Sequence, residues 1–200
     1  MPKVIADITM SLDGFVTAPN AGPDSGLGDD GMPLHEWVFS GHEVDRSVLA
    51  DATAVSGAVV MGRNLFDVID GPDGWTEEMG YGAHEAGRPS FVVVTHTPPA
   101  EVRLDLDFTF VTGGVAAAVE AAMSKCPPDK QVVIMGGGNV IAQAIELGLV
   151  DRLVLHVSPI VFGDGTPLWT GVGRHRLRQT DVRVSPHATH ITYELADGGD

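Results

Sequence analysis

Short apolar runs alternate with helix-period and turn-rich segments along the whole chain. The runs at 4–10, 58–61, 90–94, 108–111, 132–135 and 152–158 are dominated by Val, Ile, Ala, Leu, Met and Phe, and each reads as a strand. Residues 34–39 predict a helix that resumes near residue 43 and runs to 52, with Leu34, Trp37, Val38 and Phe39 as its apolar contacts. Residues 115–124 form an alanine-rich helix closed by Pro127 and Pro128, and 140–147 repeat apolar residues at helical spacing before a C-capping Gly148. The segments 179–185 and 190–195 alternate apolar and polar residues, as a terminal antiparallel pair would. Between the first strand and the first helix, residues 19–31 are rich in Gly, Pro and Asp and form a loop. The expected architecture is α/β: a central, mostly parallel mixed sheet with an antiparallel C-terminal edge and helices on both faces. Nothing repeats internally and no linker divides the chain, so residues 1–200 are expected to form one domain.

Composition narrows the function classes. Of 200 residues, 44% are hydrophobic, enough for a sizeable core. The formal net charge of -15 comes from scattered acidic residues, which disfavours nucleic acid and anionic membranes as partners. Cys126 is the only cysteine, so neither an internal disulfide nor a thiolate metal cluster can form. No apolar run approaches the roughly 18 residues of a membrane-spanning helix. Met1, Pro2 and Lys3 lead directly into a strand pattern without a signal peptide, and the expected location is the cytoplasm.

Chemistry concentrates where strands end. Residues 132–135 run into Gly136, Gly137 and Gly138 and then a helix, a junction where bare N–H groups and missing side chains let an anion approach. The motif matches neither common phosphate fingerprint, because Ile141 stands where one requires glycine and the other a nearby lysine; a tight turn would account for it equally well. A second junction, Gly62-Arg63-Asn64, adds a guanidinium suited to phosphate oxygens. Thr95-His96 and Thr112-Gly113 repeat the theme at two further strand ends, and several anion sites on one sheet suggest a dinucleotide. His187 and His190 invite a metal reading, but their spacing in an edge strand would place them on opposite faces, so no metal is expected. His42 and Glu43 read as a solvated helix face.

Residues 11–16 (Ser-Leu-Asp-Gly-Phe-Val), Met61-Gly62-Arg63, the run from Met135 to Asn139, residues 149–153 and residues 159–165 occur in an order that resembles the dihydrofolate-reductase-like superfamily. The branch most similar is the C-terminal reductase domain of the bifunctional riboflavin-biosynthesis deaminase-reductase, over about residues 3 to 196. The zinc-binding signatures of the deaminase half are missing. The resemblance implies NADPH as cofactor, a small pteridine, pyrimidine or flavin-like substrate, and a homodimer. It also implies that Gly62, Arg63 and Asn64 hold the cofactor phosphates, with Thr95, His96, Thr112 and Gly113 along the adenosine half. Gly136, Gly137, Gly138, Asn139 and Val140 would bracket the pyrophosphate and nicotinamide, and Thr9 with residues 11–16, including Phe15 and Val16, would cover the nicotinamide. Two other readings stay open: a dinucleotide-binding module without catalysis, and a flavin- or deazaflavin-dependent reductase.

Reduction also needs a proton, for which three carboxylates are candidates. Asp13 lies in the loop expected to close on the nicotinamide, although Asp13-Gly14 also reads as a simple turn. Asp7 interrupts an apolar strand, where a carboxylate needs a partner; it is either a buried hydrogen-bond anchor or a pocket group. Glu36 sits near the start of the first helix, where a solvated face is its plain alternative. Trp37, Trp75 and Phe162, with Leu168 and Trp169, could wall a ring-binding pocket or simply belong to the core.

Overall fold

A computed structural model describes residues 1–76, 79–81 and 88–195. Eight strands form one sheet in the order β5-β4-β3-β6-β1-β7-β10-β9: β1 (Val4–Ser11), β3 (Ser56–Gly62), β4 (Ser90–Val94), β5 (Phe108–Val111), β6 (Gln131–Gly136), β7 (Arg152–Ser158), β9 (Leu177–Val184) and β10 (Thr189–Leu195). The first six in spatial order are parallel, while β10 runs antiparallel to both β7 and β9. The mixed sheet with its antiparallel C-terminal edge is as the alternation of patterns predicts. A parallel sheet needs cover on both faces, which is why β3, β4 and β6 are apolar almost throughout.

Two layers supply that cover. On one face, α4 (Gly114–Lys125) and α5 (Gly138–Glu146) bury Val115, Ala118, Ala122, Ile141 and Ile145 against Ala6, Ile8, Ala58, Val60, Val132, Ile134, Leu153 and Leu155. The other face carries α2 (Glu43–Val55) and α3 (Arg63–Ile69), where Phe66 and Ile69 pack on Val59, Met61, Phe91 and Val93. The same face of β1 presents Asp7, Thr9 and Ser11, and these polar residues among apolar neighbours mark where the second layer is more than packing. Among the described residues no helix is long and apolar enough to cross a membrane.

Several details depart from expectation. The helix predicted over 34–39 is a 3-10 turn, Met32–His35, followed by the single turn α1 (Glu36–Phe39); Pro33 gives the first its tight start. Phe39 is 68% exposed and contributes no core contact. His187 is not in a strand: it precedes β10 and pairs with Glu36 at 3.4 Å, so the expected opposite-face geometry does not apply. His42 caps α2, accepting from the Val44 N–H, rather than lying on its solvated face. A further two-stranded ribbon, β2 (Phe15–Thr17) with β8 (Thr166–Pro167), was too short to show in the sequence pattern.

Candidate active site

Three strand-to-helix junctions line the carboxyl edge of the parallel sheet. Gly62 precedes α3 after β3, Gly113 precedes α4 after β5, and Gly137 precedes α5 after β6; all three helices start without a side-chain cap. Their first N–H groups therefore face outward with nothing from the helix start to satisfy them, and the helix dipoles add positive potential along one edge. The α3 and α5 junctions abut: a Cβ on Gly62 would sit 3.0 Å from Val140 Cγ2 and 3.6 Å from the Gly137 nitrogen. A Cβ on Gly137 would meet nothing within 4 Å, so the groove is open there. Gly136 has φ +135°, a backbone conformation that side chains disfavour, and the Gly136–Gly137 peptide is cis.

Arg63 is held rather than loose. Its Nε donates to Asp67 Oδ1 at 2.7 Å and one terminal nitrogen donates to the Thr97 carbonyl at 2.6 Å. Those bonds leave the second terminal nitrogen without a partner among the described residues, on a side chain one-third exposed. Thr95 folds its own turn, donating to the Thr97 carbonyl and accepting from the Thr97 N–H, with His96 exposed beside it. Asn64, Thr112, Gly113 and Asn139 are exposed along the same edge; Asn139 accepts from Gln143.

The loop after β1 closes over the α5 end of this row. A Cβ on Gly138 would lie 3.2 Å from Val16 Cγ2 and 3.6 Å from Leu168, so Val16 of β2 and Leu168, just after β8, sit directly against the helix start. Asp13 braces this loop: it accepts from the Ser11 hydroxyl at 2.6 Å and from the N–H groups of Phe162 and Gly163 at 3.2 and 2.7 Å. The Ser11 hydroxyl, aided by those two N–H groups and opposed by partial desolvation, holds the Asp13 carboxyl below its ordinary value. Its oxygens are thus committed to the backbone of residues 162–163. Phe162 is half-buried, and Trp169 is exposed next to the buried Leu168.

On the α2 face, a buried polar chain begins where β1 carries Asp7. Asp7 Oδ1 lies 3.0 Å from His156 Nε2; His156 Nδ1 lies 2.8 Å from His190 Nδ1; His190 Nε2 lies 2.9 Å from Asp45 Oδ1. Trp37 covers both rings, with centroids 4.3 and 4.9 Å away, and its indole N–H donates to Thr9 Oγ1 at 3.1 Å. The turn before α1 is fixed by Ser158 donating to the Leu34 carbonyl at 2.7 Å. Burial tends to raise the Asp45 carboxyl, but hydrogen bonds from Ser185, Ser40 and His190 outweigh it and the net direction is downward. Burial pushes His35 down to about 4, with the charge of His156 acting in the same direction.

The structure therefore brings together Val16, Gly62, Arg63, Gly136, Gly137, Gly138 and Val140 around one edge and places Asp7, Thr9 and Trp37 on the adjoining face. Glu36 lies apart, exposed and paired with His187. Trp75 packs against Tyr81 and edge-on to Phe91 in a separate aromatic group. Sequence reading missed His156 and Asp45. The available signal was parity: Asp7, His156 and His190 each interrupt an apolar run on the strand positions that face α2.

Comparisons with known proteins bear on the fold and the family. The profile of the RibD C-terminal domain matches residues 2–192. An uncharacterized protein, YyaP, of Bacillus subtilis (strain 168) is 24% identical over 199 residues, spanning 96% of this chain and 94% of its own. The crystal structure of a putative riboflavin biosynthesis protein from Shewanella sp. PV-4 superposes with a TM-score of 0.68 at 20% identity, covering 98% of this chain and all of that one (100%). A pyrimidine reductase-like protein from Corynebacterium diphtheriae gives 0.62 at 18%, covering 98% and 92%. The dihydrofolate reductase of Enterococcus faecalis, solved with NADP(H), gives 0.58 at 14%, covering 98% and 97%. With a dihydrofolate-reductase-like sheet, glycine-led helix starts at its carboxyl edge and a profile match over nearly its full length, the chain belongs to the RibD C-terminal domain family of reductase-type modules.

Proposed function

We propose that this protein is an NADPH-dependent reductase that transfers a hydride to a small heterocycle of pteridine, pyrimidine or flavin-like type. The observation that carries the reading is the set of three helix starts, each led by glycine and uncapped by a side chain, at the carboxyl edge of one sheet, those after the neighbouring strands β3 and β6 abutting. Such a set suits the several anionic groups of a dinucleotide, and the open space above Gly137 is the cradle a pyrophosphate would fill. When bound, the cofactor supplies the hydride. Gly137, Gly138 and Asn139 would hold its pyrophosphate by backbone N–H groups, and Arg63, oriented by Asp67 and Thr97, would offer its remaining N–H groups to the phosphate that distinguishes NADPH from NADH. The Val16 and Leu168 cover would keep water off the nicotinamide end.

Arg63→Ala tests the assignment directly. Binding measured by fluorescence titration should weaken for NADPH by at least about tenfold, equivalent to roughly 1.4 kcal/mol, while NADH affinity changes little. An unchanged NADPH-to-NADH affinity ratio would show that Arg63 does not read the extra phosphate. Wild-type protein that binds neither nucleotide, or that is isolated with a bound yellow chromophore, would overturn the nicotinamide reading itself.

A further inference from the structure

A hydride acceptor must also receive a proton, and the chain Asp7–His156–His190–Asp45 is built to carry one. Three contacts link the four groups in series, and each requires one shared proton. The rings meet Nδ1 to Nδ1, so one of those nitrogens donates and the other accepts. Both Nε2 atoms face carboxylate oxygens. With both carboxylates ionised, four ring nitrogens hold three protons: one ring is an imidazolium, the other is neutral, and the chain carries a net charge of -1. Moving the proton of the first contact from His156 Nε2 to Asp7 Oδ1 preserves all three hydrogen bonds, so the proton can travel without breaking the network.

The ends of the chain differ. Asp45 is sealed, its side chain 1% exposed and its second oxygen accepting from Ser40 at 2.6 Å. Asp7 is 21% exposed and lines a cavity of about 190 Å³ between α2 and strands β1, β6, β7, β9 and β10. That end also lies one strand over from the proposed cofactor turn: β1 pairs with β6, Ala6 opposite Ile134, and β6 ends at Gly136. We propose, on the basis of the reductase reading above, that these four groups form a proton store whose delivering end is Asp7, the proton donor to a substrate ring in this cavity.

The charged surroundings fit that assignment. Arg183, on β9, is neutralised by Asp51 of α2 and Asp181. Arg152 of β7 lines the cavity with no partner among the described residues. His35 stays neutral near pH 7, and burial, reinforced by the charge of His156, keeps His190 below its ordinary value despite Asp45, which disfavours a second proton on His190. Tyr81, raised by burial and by Asp7, remains a phenol.

In the step itself, carbon of a C=N or C=O bond takes the hydride from the reduced nicotinamide, with its two electrons. The π pair of that bond forms a new N–H or O–H bond with the proton of Asp7, whose own O–H bond breaks. The chain falls to a net charge of -2 and recovers its proton from water entering at Asp7.

Two measurements test the proposal, one of them without cofactor or substrate. In 15N-histidine-labelled wild-type protein at pH 7, long-range proton–nitrogen correlation should show both nitrogens of His156 protonated and His190 with a bare Nδ1. Two neutral rings, with only two ring N–H groups between them, would overturn the proton store. With NADPH and a panel of pterins, pyrimidines and flavins, Asp7→Asn should lower kcat at least about 100-fold, leave the KM for NADPH unchanged, and abolish the fall of kcat at high pH. Asp7→Asn with full kcat would overturn delivery by Asp7 while leaving the reductase reading intact. Wild-type protein that never oxidises NADPH would overturn both the reductase reading and the delivery step, and the nitrogen spectrum would still decide the proton count on its own.

Discussion

Buried titratable residues set the pH response of this protein one side chain at a time. His35 has a native pKa near 4 against an ordinary 6.5, so between those values the unfolded chain binds a proton that the native chain refuses. Stability therefore falls as pH drops from about 6.5 to 4, by at most about 1.4 kcal/mol per pH unit from this group. His35→Gln should flatten that limb in urea titrations at pH 7, 5.5 and 4.5. An unchanged slope would assign the effect elsewhere. Asp45 is lowered too, which for a carboxyl favours the charged form: its native value lies below the ordinary 3.8, so its contribution is full above about pH 4 and is lost as pH falls through the native value. Asp45→Ala should destabilise the protein by about 3 kcal/mol at pH 7, because it strands the buried His190 N–H along with Ser40. A loss below about 1 kcal/mol would mean that water replaces the carboxylate.

At the scale of elements, glycines at helix starts separate fold from function. Gly137 has φ -69° and open space where a Cβ would be, so Gly137→Ala should leave the unfolding midpoint within the range of a neutral surface change, about 0.5 kcal/mol, yet weaken NADPH binding at least tenfold. If calorimetry shows binding untouched, the α5 start does not hold the cofactor. Gly165 is the contrasting case: φ is +137° and a Cβ would lie 2.1 Å from the Thr17 carbonyl. Gly165→Ala should therefore disrupt the β2–β8 ribbon and destabilise by about 2 kcal/mol or more, read as a lowered urea midpoint. Gly137 reads from the sequence as a turn residue. Which glycine faces open groove and which faces backbone is a matter of neighbours far along the chain, such as Val140 for Gly62 and Thr17 for Gly165, and local pattern carries no such information.

For the molecule as a whole, stability should grade across the sheet. Strands β3 and β6 are buried on both faces and paired on both edges, whereas β9 is the exposed outer strand. Hydrogen exchange should accordingly be slowest in Val59, Val60, Val133 and Ile134 and fastest in β9; equal protection throughout would contradict this ranking. The sequence by itself determined the kinds and order of the major elements, because apolar period is local: runs without alternation demand a doubly covered strand, and Ala118, Ala122, Ile141 and Ile145 sit at helical spacing. It also displayed the glycine-led junctions. Tertiary structure alone decided what lies beside what. Strand order placed β6 between β3 and β1, so that the Gly62 and Gly137 turns became one groove. The antiparallel register set His190 opposite His156, and α2 brought Asp45 to the pair. The partners of Asp7, His156 and Asp45 lie on different elements far apart in the chain, and hydrogen bonds between such groups follow from sheet order and helix placement, which no residue's immediate neighbours encode.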